Sequence, residues 1–244
     1  MQASHMKRII LGGLFALTGG CFCAGSYAAS LQMYPLTVNF CNGEAVEPVY
    51  VKNTGSEPIG AQLRLYQWQQ RNHKDILTPT QALISSPPIA SIPPGKEQLV
   101  RVITPGAVPA GGNEQSYRLL IDELPGAQAK SQDSRVHFLL RYSVPVFMSC
   151  ASKKVDLTTL HASQNNSGGH QQLVIRNTGS QHLKLSNVSL VAGGKSYILN
   201  KGLLGYVLPG SEMAWDIPDN LPAGTAINAT LNDNASSQAI TLTR

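Results

Sequence analysis

The chain has 244 residues, enough for two domains of ordinary size, and 14% of them are charged, with a formal net charge of +5. The small excess of Lys and Arg is not gathered into a stripe of the kind that follows phosphates, so nucleic-acid binding is not indicated. The 22 Gly and 15 Pro, with short runs of Val, Ile, Leu and Thr, favour strands and turns over helices.

The N-terminal segment 1–28 has the order of a secretory signal peptide. A Lys-Arg pair precedes the apolar run IILGGLFALTGG, and small residues further on predict cleavage after Ala28. Either Met1 or Met6 can be the start of the chain. The apolar run is too short and too rich in glycine for a membrane span. We therefore expect an exported mature chain that does not insert into a membrane.

Two successive β-sandwich domains are predicted, because apolar runs alternate with turn signals about every 8 to 12 residues. In the first domain, residues 29–150, the predicted strands are 31–40, 46–53, 60–68, 97–104, 116–124 and 135–148. In the second, residues 151–244, they are 171–177, 183–191, 195–200, 204–208, 212–217, 225–231 and 238–243. No amphipathic helix is predicted.

One corner occurs in both domains. The stretches YVKNTGS and VIRNTGS, residues 50–56 and 174–180, each join a buried strand to an alternating one. In such a turn the Asn side chain bonds its own backbone, and we expect the Gly to supply a positive φ. The repeated corner therefore indicates two seven-stranded sandwiches of one design.

The last strand of the first domain alternates over an unusual length. One face carries Val136, Phe138, Leu140, Tyr142 and Val144. At the edge of a sheet, a strand of this kind can template a partner strand. Because Leu139 interrupts the polar face, both faces can be partly buried, and the apolar face can instead fill the domain's own core.

Three motifs in the first domain occur together: SPPIASIPPGKEQLVRV, then EQSYRLLIDELP, then a long alternating strand that ends in VPVF. With them the chain resembles the periplasmic pilus-assembly chaperones of the chaperone–usher pathway. Ser-Tyr-Arg-Leu before Asp-Glu-Leu-Pro is similar to the archaic branch of that family. The resemblance covers residues 30–244 and is strongest over 84–147.

The resemblance implies two immunoglobulin-like sandwiches in a boomerang arrangement, located in the periplasm. It also implies that residues 135–147 form a donor strand that completes pilin subunits, as in chaperone–pilin complexes. Val136, Phe138, Leu140, Tyr142 and Val144 would fill the open groove of the pilin. The partners implied are pilin subunits and an outer-membrane usher.

A cation for the C-terminal carboxylate of the pilin is also implied. Conventional members use an Arg in the first strand and a Lys in the last, but here LQMYPLTVNF has no base and Ser143 aligns with the Lys. Arg118 is the candidate that the archaic resemblance suggests, and Arg141 is the second. An ordinary ion pair of Arg118 with Asp122 or Glu123 is the alternative, and we interpret both carboxylates as structural.

Two cysteines remain after cleavage: in the sequence Cys41 directly follows the first predicted strand, and Cys150 follows the last predicted strand of the first domain. In an exported chain such a pair predicts one disulfide, and two buried thiols are the alternative.

Neither catalysis nor a metal or cofactor is indicated. The six His are scattered, and no nucleophile, phosphate-loop or dinucleotide motif is present. A secreted or surface immunoglobulin-like module, such as an adhesin, remains the alternative function. A pilin would instead have one incomplete domain and an alternating N-terminal extension.

Overall fold

The computed structural model describes residues 31–41, 43–106, 113–124, 138–148 and 155–243. Within these ranges the chain forms β-strands and one short 3-10 turn, Leu157–Thr159. The strands before this turn are β1 Leu31–Tyr34, β2 Val38–Asn39, β3 Val46–Asn53, β4 Ile59–Arg71, β5 Lys74–Pro79, β6 Ile84–Ser86, β7 Ile89–Ile92, β8 Glu97–Ile103, β9 Gln115–Leu124 and β10 Arg141–Met148. The strands after it are β11 Leu160–Ser167, β12 His170–Asn177, β13 Leu183–Ala192, β14 Lys195–Ile198, β15 Leu203–Val207, β16 Glu212–Asp216, β17 Ala226–Leu231 and β18 Ser237–Thr243.

Strands β1 to β10 build the first sandwich from two sheets. One sheet has the order β1-β3-β8-β6, and the other has the order β2-β10-β9-β4-β5, with β7 also paired to β4. Alternate residues of both sheets point inward, as the period of two in the sequence predicts. The fully buried side chains of this core include Leu31, Phe40, Val49, Val51, Val100, Val102, Leu119, Ile121 and Val146.

Strands β11 to β18 build the second sandwich. They follow the path β14-β13-β17-β18-β11-β12-β16, with β15 also paired to β13. The two faces of the sandwich are joined by a pairing of β11 with β18 that is only two residues long. The fully buried side chains of its core include Leu173, Ile175, Leu185, Val188, Leu190, Val207, Ile227 and Leu231.

The predicted strand 31–40 is in fact two strands in different sheets. β1 pairs with β3 and β2 pairs with β10. Pro35 lies between them and has no N–H for a ladder, so the chain leaves one sheet there and joins the other. β5 was not predicted, because its residues are all exposed and give no apolar alternation.

The repeated Asn-Thr-Gly corner has the same hydrogen bonds in both domains. Asn53 donates to Glu57 O and Ile92 O and accepts from Gly55 N. Asn177 donates to Gln181 O and Val207 O and accepts from Gly179 N.

The predicted positive φ of the two corner glycines is wrong, because neither Gly55 nor Gly179 has one. At the second corner a larger residue would not fit, because a Cβ on Gly179 would lie only 2.9 Å from Thr159 Oγ1.

Candidate functional site: an open strand edge and an arginine at the domain junction

Strand β10 is paired along its whole length on one side only. It runs antiparallel to β9 from Arg141 to Met148, whereas β2 pairs with it only at Val146 and Phe147. On the side away from β9, none of the described residues pairs with 141–145, and we call this stretch the open edge. Pro145 closes it, since it has no N–H to extend the ladder toward β2.

The hydrogen-bonding groups at the open edge follow from the antiparallel register. Glu123 N donates to Leu140 O on the β9 side, and Phe40 N donates to Phe147 O on the β2 side. Because the two sides alternate residue by residue, the even-numbered residues of β10 bond to β9. The N–H and C=O groups of Arg141 and Ser143 therefore point out of the open edge.

The apolar face of the predicted donor strand rises gradually out of the core of the first domain. Phe138 is 84% exposed, Leu140 and Tyr142 are partly buried against the core, and Val144 is only 3% exposed. The Tyr142 hydroxyl donates to Leu31 O of β1 at 2.7 Å. Val144 thus fills this domain's own core, which is the alternative that the sequence left open for the whole face.

The strand itself is shorter than the predicted 135–147. Residues 138–140 are extended chain without strand pairing, and β10 begins at Arg141. Val136 lies outside the described residues, so its predicted place at the far end of the face remains a prediction. Leu139, on the opposite face, is 53% exposed.

Arg141 is held in an ion pair with a carboxylate of β9. Asp122 accepts from Arg141 Nε at one oxygen and from Arg64 Nη2 at the other, 2.5 Å away. Burial acts to raise the pKa of Asp122, but the hydrogen bonds from the two arginines outweigh it and lower the pKa below its ordinary value. Both oxygens of Asp122 are thus occupied by these two arginines, and its structural role stays the interpretation given from the sequence.

Arg118, the first candidate anchor, is held by aromatic rings. Its guanidinium carbon lies 3.6 Å from the centre of the Trp68 ring and 5.2 Å from that of Tyr206. Its Nη1 is 3.5 Å from Ser143 O at the open edge. Among the described residues no carboxylate forms an ion pair with Arg118, so the alternative pairing with Asp122 or Glu123 does not occur.

The rings around Arg118 belong to an aromatic cluster that joins the two sandwiches. Trp68 of β4 and Phe147 of β10 pack on Tyr206 and Leu208 of the second domain. The Trp68 and Tyr206 rings meet edge to face with centroids 5.4 Å apart. His182 stacks on Phe147 with centroids 3.6 Å apart and planes within 7°. Arg118 consequently lies where the two domains touch.

Polar contacts fix the same junction. The Gln70 side chain donates to Tyr206 O at 2.9 Å and accepts from Leu208 N at 2.8 Å. His182 Nδ1 lies 2.8 Å from Glu114 Oε1, and both side chains are buried. None of these residues was predicted from the sequence to have a role. The one signal available was the row of Tyr66, Trp68 and Gln70 along the outward face of a strand whose other face is apolar.

Cys41 follows β2, and Cys150 lies outside the described residues. β2 and β10 are parallel neighbours with Asn39 opposite Phe147. The described ends of these strands, Phe40 and Met148, therefore lie at the same end of the sheet, and the disulfide between Cys41 and Cys150 stays a prediction.

In the described ranges, no three His, Cys, Asp or Glu side chains are grouped so that they could hold a metal ion. None of the helices in these ranges has the length and hydropathy that crossing a bilayer requires.

Comparison with known families gave one match, over residues 30–152. The matching family model describes the N-terminal domain of the PapD-type pili and flagellar-assembly chaperones. No curated protein sequence matched the chain significantly.

Solved structures of chaperones share the fold over nearly the whole chain. The complex of CsuC with the tip adhesion subunit CsuE, from the archaic chaperone–usher Csu pili of Acinetobacter baumannii, contains a chain that is 26% identical, with a TM-score of 0.67. The match covers 88% of this chain and 98% of that one.

Two more distant structures agree in fold. The complex of the Salmonella enterica SafB chaperone with the SafA pilin gives 15% identity and a TM-score of 0.62, covering 90% of this chain and 98% of that one. The E. coli chaperone DraB gives 17% identity and a TM-score of 0.58, covering 88% and 98%. The predicted all-β fold of two immunoglobulin-like sandwiches is confirmed.

Proposed function

The chain belongs to the family of pili and flagellar-assembly chaperones, and on that premise we propose that it binds pilin subunits in the periplasm by lending them the open edge of β10. Delivery of the bound subunit to an outer-membrane usher completes the proposed role. The observation that carries the proposal is the open edge itself, an unpaired stretch beside an apolar face that rises out of the core.

Main-chain pairing supplies the affinity in this mechanism. Arg141 and Ser143 each offer an N–H and a C=O to an added strand, and each new hydrogen bond is worth about 0.5 to 1.5 kcal/mol net. The side chains on the apolar face then fix the register, because a slip of one residue would turn them away from the pilin. Phe138, Leu140 and Tyr142 have exposed area left to bury in a partner, whereas Val144 does not.

Arg118 anchors the C-terminal carboxylate of the pilin. It lies beside the open edge at the domain junction, carries a permanent charge and has no carboxylate partner among the described residues. Arg141 is less suited, since Asp122 already occupies its Nε–H. A hydrogen bond between charged groups is worth about 1.5 to 3 kcal/mol, so loss of the guanidinium should weaken binding by at least about tenfold.

The test is co-purification of the tagged mature chain from its native periplasm, with identification of the bound proteins. Wild type runs beside Arg118→Ala, Arg141→Ala and the matched control Arg101→Ala, an exposed arginine in the other sheet of the same domain.

A pilin that stays with wild type and Arg101→Ala but is lost from Arg118→Ala is the expected result. A pilin retained by Arg118→Ala and lost from Arg141→Ala moves the anchor to Arg141. No pilin with any variant, under conditions where pilins are expressed, refutes the chaperone mechanism and favours a surface module.

A further inference from the structure

An anchoring arginine has to be held still without using up its hydrogen-bond donors. A neighbouring carboxylate would hold it but would also compete with the ligand for the same N–H groups. Burial lowers the pKa of Arg118 and the charge of Asp75 opposes this, but among the described residues no carboxylate forms an ion pair with Arg118. The guanidinium lies instead over the face of Trp68, with its carbon 3.6 Å from the ring centre, and its Nη1 has one long contact of 3.5 Å to Ser143 O.

The contact distance indicates how the guanidinium lies on the ring. A separation of 3.6 Å between the guanidinium carbon and the ring centre is van der Waals contact. An N–H directed at the ring would hold the carbon further away, so the two planes lie face against face. The five N–H donors of Arg118 lie in its own plane and therefore point past the indole.

Trp68 is itself rigidly placed. Its side chain is 2% exposed and packs against Phe147 and Tyr206, with ring centroids 6.1 and 5.4 Å away. Tyr206 comes from the second domain and also lies within reach of Arg118. Both domains therefore contribute to the support of this one guanidinium.

The indole N–H of Trp68 is an independent observation. It is buried, and none of the described residues accepts a hydrogen bond from it. A buried unpaired donor is unfavourable and calls for an explanation. A hydrogen bond of the indole N–H to a described residue therefore does not explain a Trp at this position, which directs attention to its ring face and its packing against Phe147 and Tyr206.

We propose that Trp68 is a positioning residue, whose ring face fixes the Arg118 guanidinium with its donors directed at the carboxylate of a bound subunit. This inference rests on the proposed function and goes beyond it, since it assigns a role to a residue that does not touch the ligand. Cation–π contact is the interaction that holds the guanidinium.

The experiment uses the subunit that co-purifies with the wild-type chain, in two forms. One form has its native C-terminus, and the other has two added glycines that displace the carboxylate by about 7 Å. Both are measured in binding competition against wild type, Trp68→Phe, Trp68→Leu and Arg118→Ala. Leu208→Ala is the matched control, because it opens a cavity in the same cluster and leaves the Trp68 face intact.

We expect wild type to prefer the native terminus by at least about tenfold. Trp68→Phe keeps an aromatic face and should keep this preference, as should Leu208→Ala. Trp68→Leu should lose it and resemble Arg118→Ala, while urea unfolding shows that the variant is folded.

If Trp68→Leu still prefers the subunit with the native C-terminus, the role of Trp68 is refuted, but Arg118 remains the proposed anchor. Loss of preference in Leu208→Ala or Trp68→Phe also refutes the role of Trp68, because packing alone would then be the cause. If wild type shows no preference, the proposed anchor fails and the role of Trp68 fails with it.

Discussion

Truncation of Phe138 separates the two interpretations of the apolar face. The side chain is 84% exposed, so only about a sixth of its burial energy is realised in the isolated protein. Full burial of a Phe is worth about 1.5 to 3 kcal/mol. Phe138→Ala should therefore change the free energy of unfolding by less than about 0.5 kcal/mol. If a pilin groove buries the rest of the ring, the same substitution should lose the remaining burial energy of about 1.25 to 2.5 kcal/mol, and so weaken subunit binding by about 8- to 70-fold.

Urea unfolding measures the first quantity, and competition for the co-purified subunit measures the second. Ile198→Ala is the control, because Ile198 is 64% exposed on β14 of the second domain, away from the open edge. It should leave both quantities unchanged. An unaltered affinity in Phe138→Ala would refute the assignment of this residue to the pilin groove, and a large loss of stability would place it in the domain's own core.

Three further predictions concern stability and redox state. Asn177→Ala removes three hydrogen bonds from a buried corner and should lower the free energy of unfolding by about 2 to 4 kcal/mol. Asn53→Ala should have a similar effect. Urea unfolding midpoints that hardly change would contradict this. The pKa of Asp122 is lowered in the folded state, so its contribution is present above the ordinary carboxyl pKa and is lost as the pH falls through the lowered value. Asp122→Asn should therefore cost about 1 to 3 kcal/mol at pH 7 and flatten the acid limb of a pH–stability curve; an unchanged acid limb would argue against the two ion pairs. Thiol titration of the unfolded, non-reduced mature chain should find no thiols, whereas two would exclude a disulfide between Cys41 and Cys150.

Sequence reasoning was most successful where one strand face is apolar and the other polar. The strands around 46–53, 116–124 and 183–191 alternate clearly, and each is present in the structure within a residue or two. The repeated Asn-Thr-Gly corner was also predictable, because a buried Asn that bonds its own turn is a local device.

Contacts between residues that are far apart in the chain could not be predicted from the sequence. Trp68, Arg118 and Tyr206 are far apart in the chain, and only the strand register and the domain contact bring them together. The same holds for Asp122, which the sequence allowed as a partner of Arg118. The two residues are four apart on β9 and share a face, but Arg64 and Arg141 come from the adjacent strands and reach Asp122 instead.

Strand limits were misjudged where exposure or proline changes the pattern. β5 is exposed at every position and so gives no apolar signal, and Pro35 divides what the sequence presents as one strand. The burial of Val144 was also not predictable, because its spacing is the same as that of the exposed Phe138, and only the depth of the strand in the sandwich distinguishes them.

The most direct test of strand donation is amide hydrogen exchange along β10, with and without the bound subunit. The register predicts that the Tyr142 and Val144 amides, which bond to β9, are protected in both states. The Arg141 and Ser143 amides face the open edge and should exchange quickly in the isolated protein. Protection of these two amides in the complex is the predicted result. If they still exchange quickly when the subunit is bound, β10 does not donate its edge and the account is wrong.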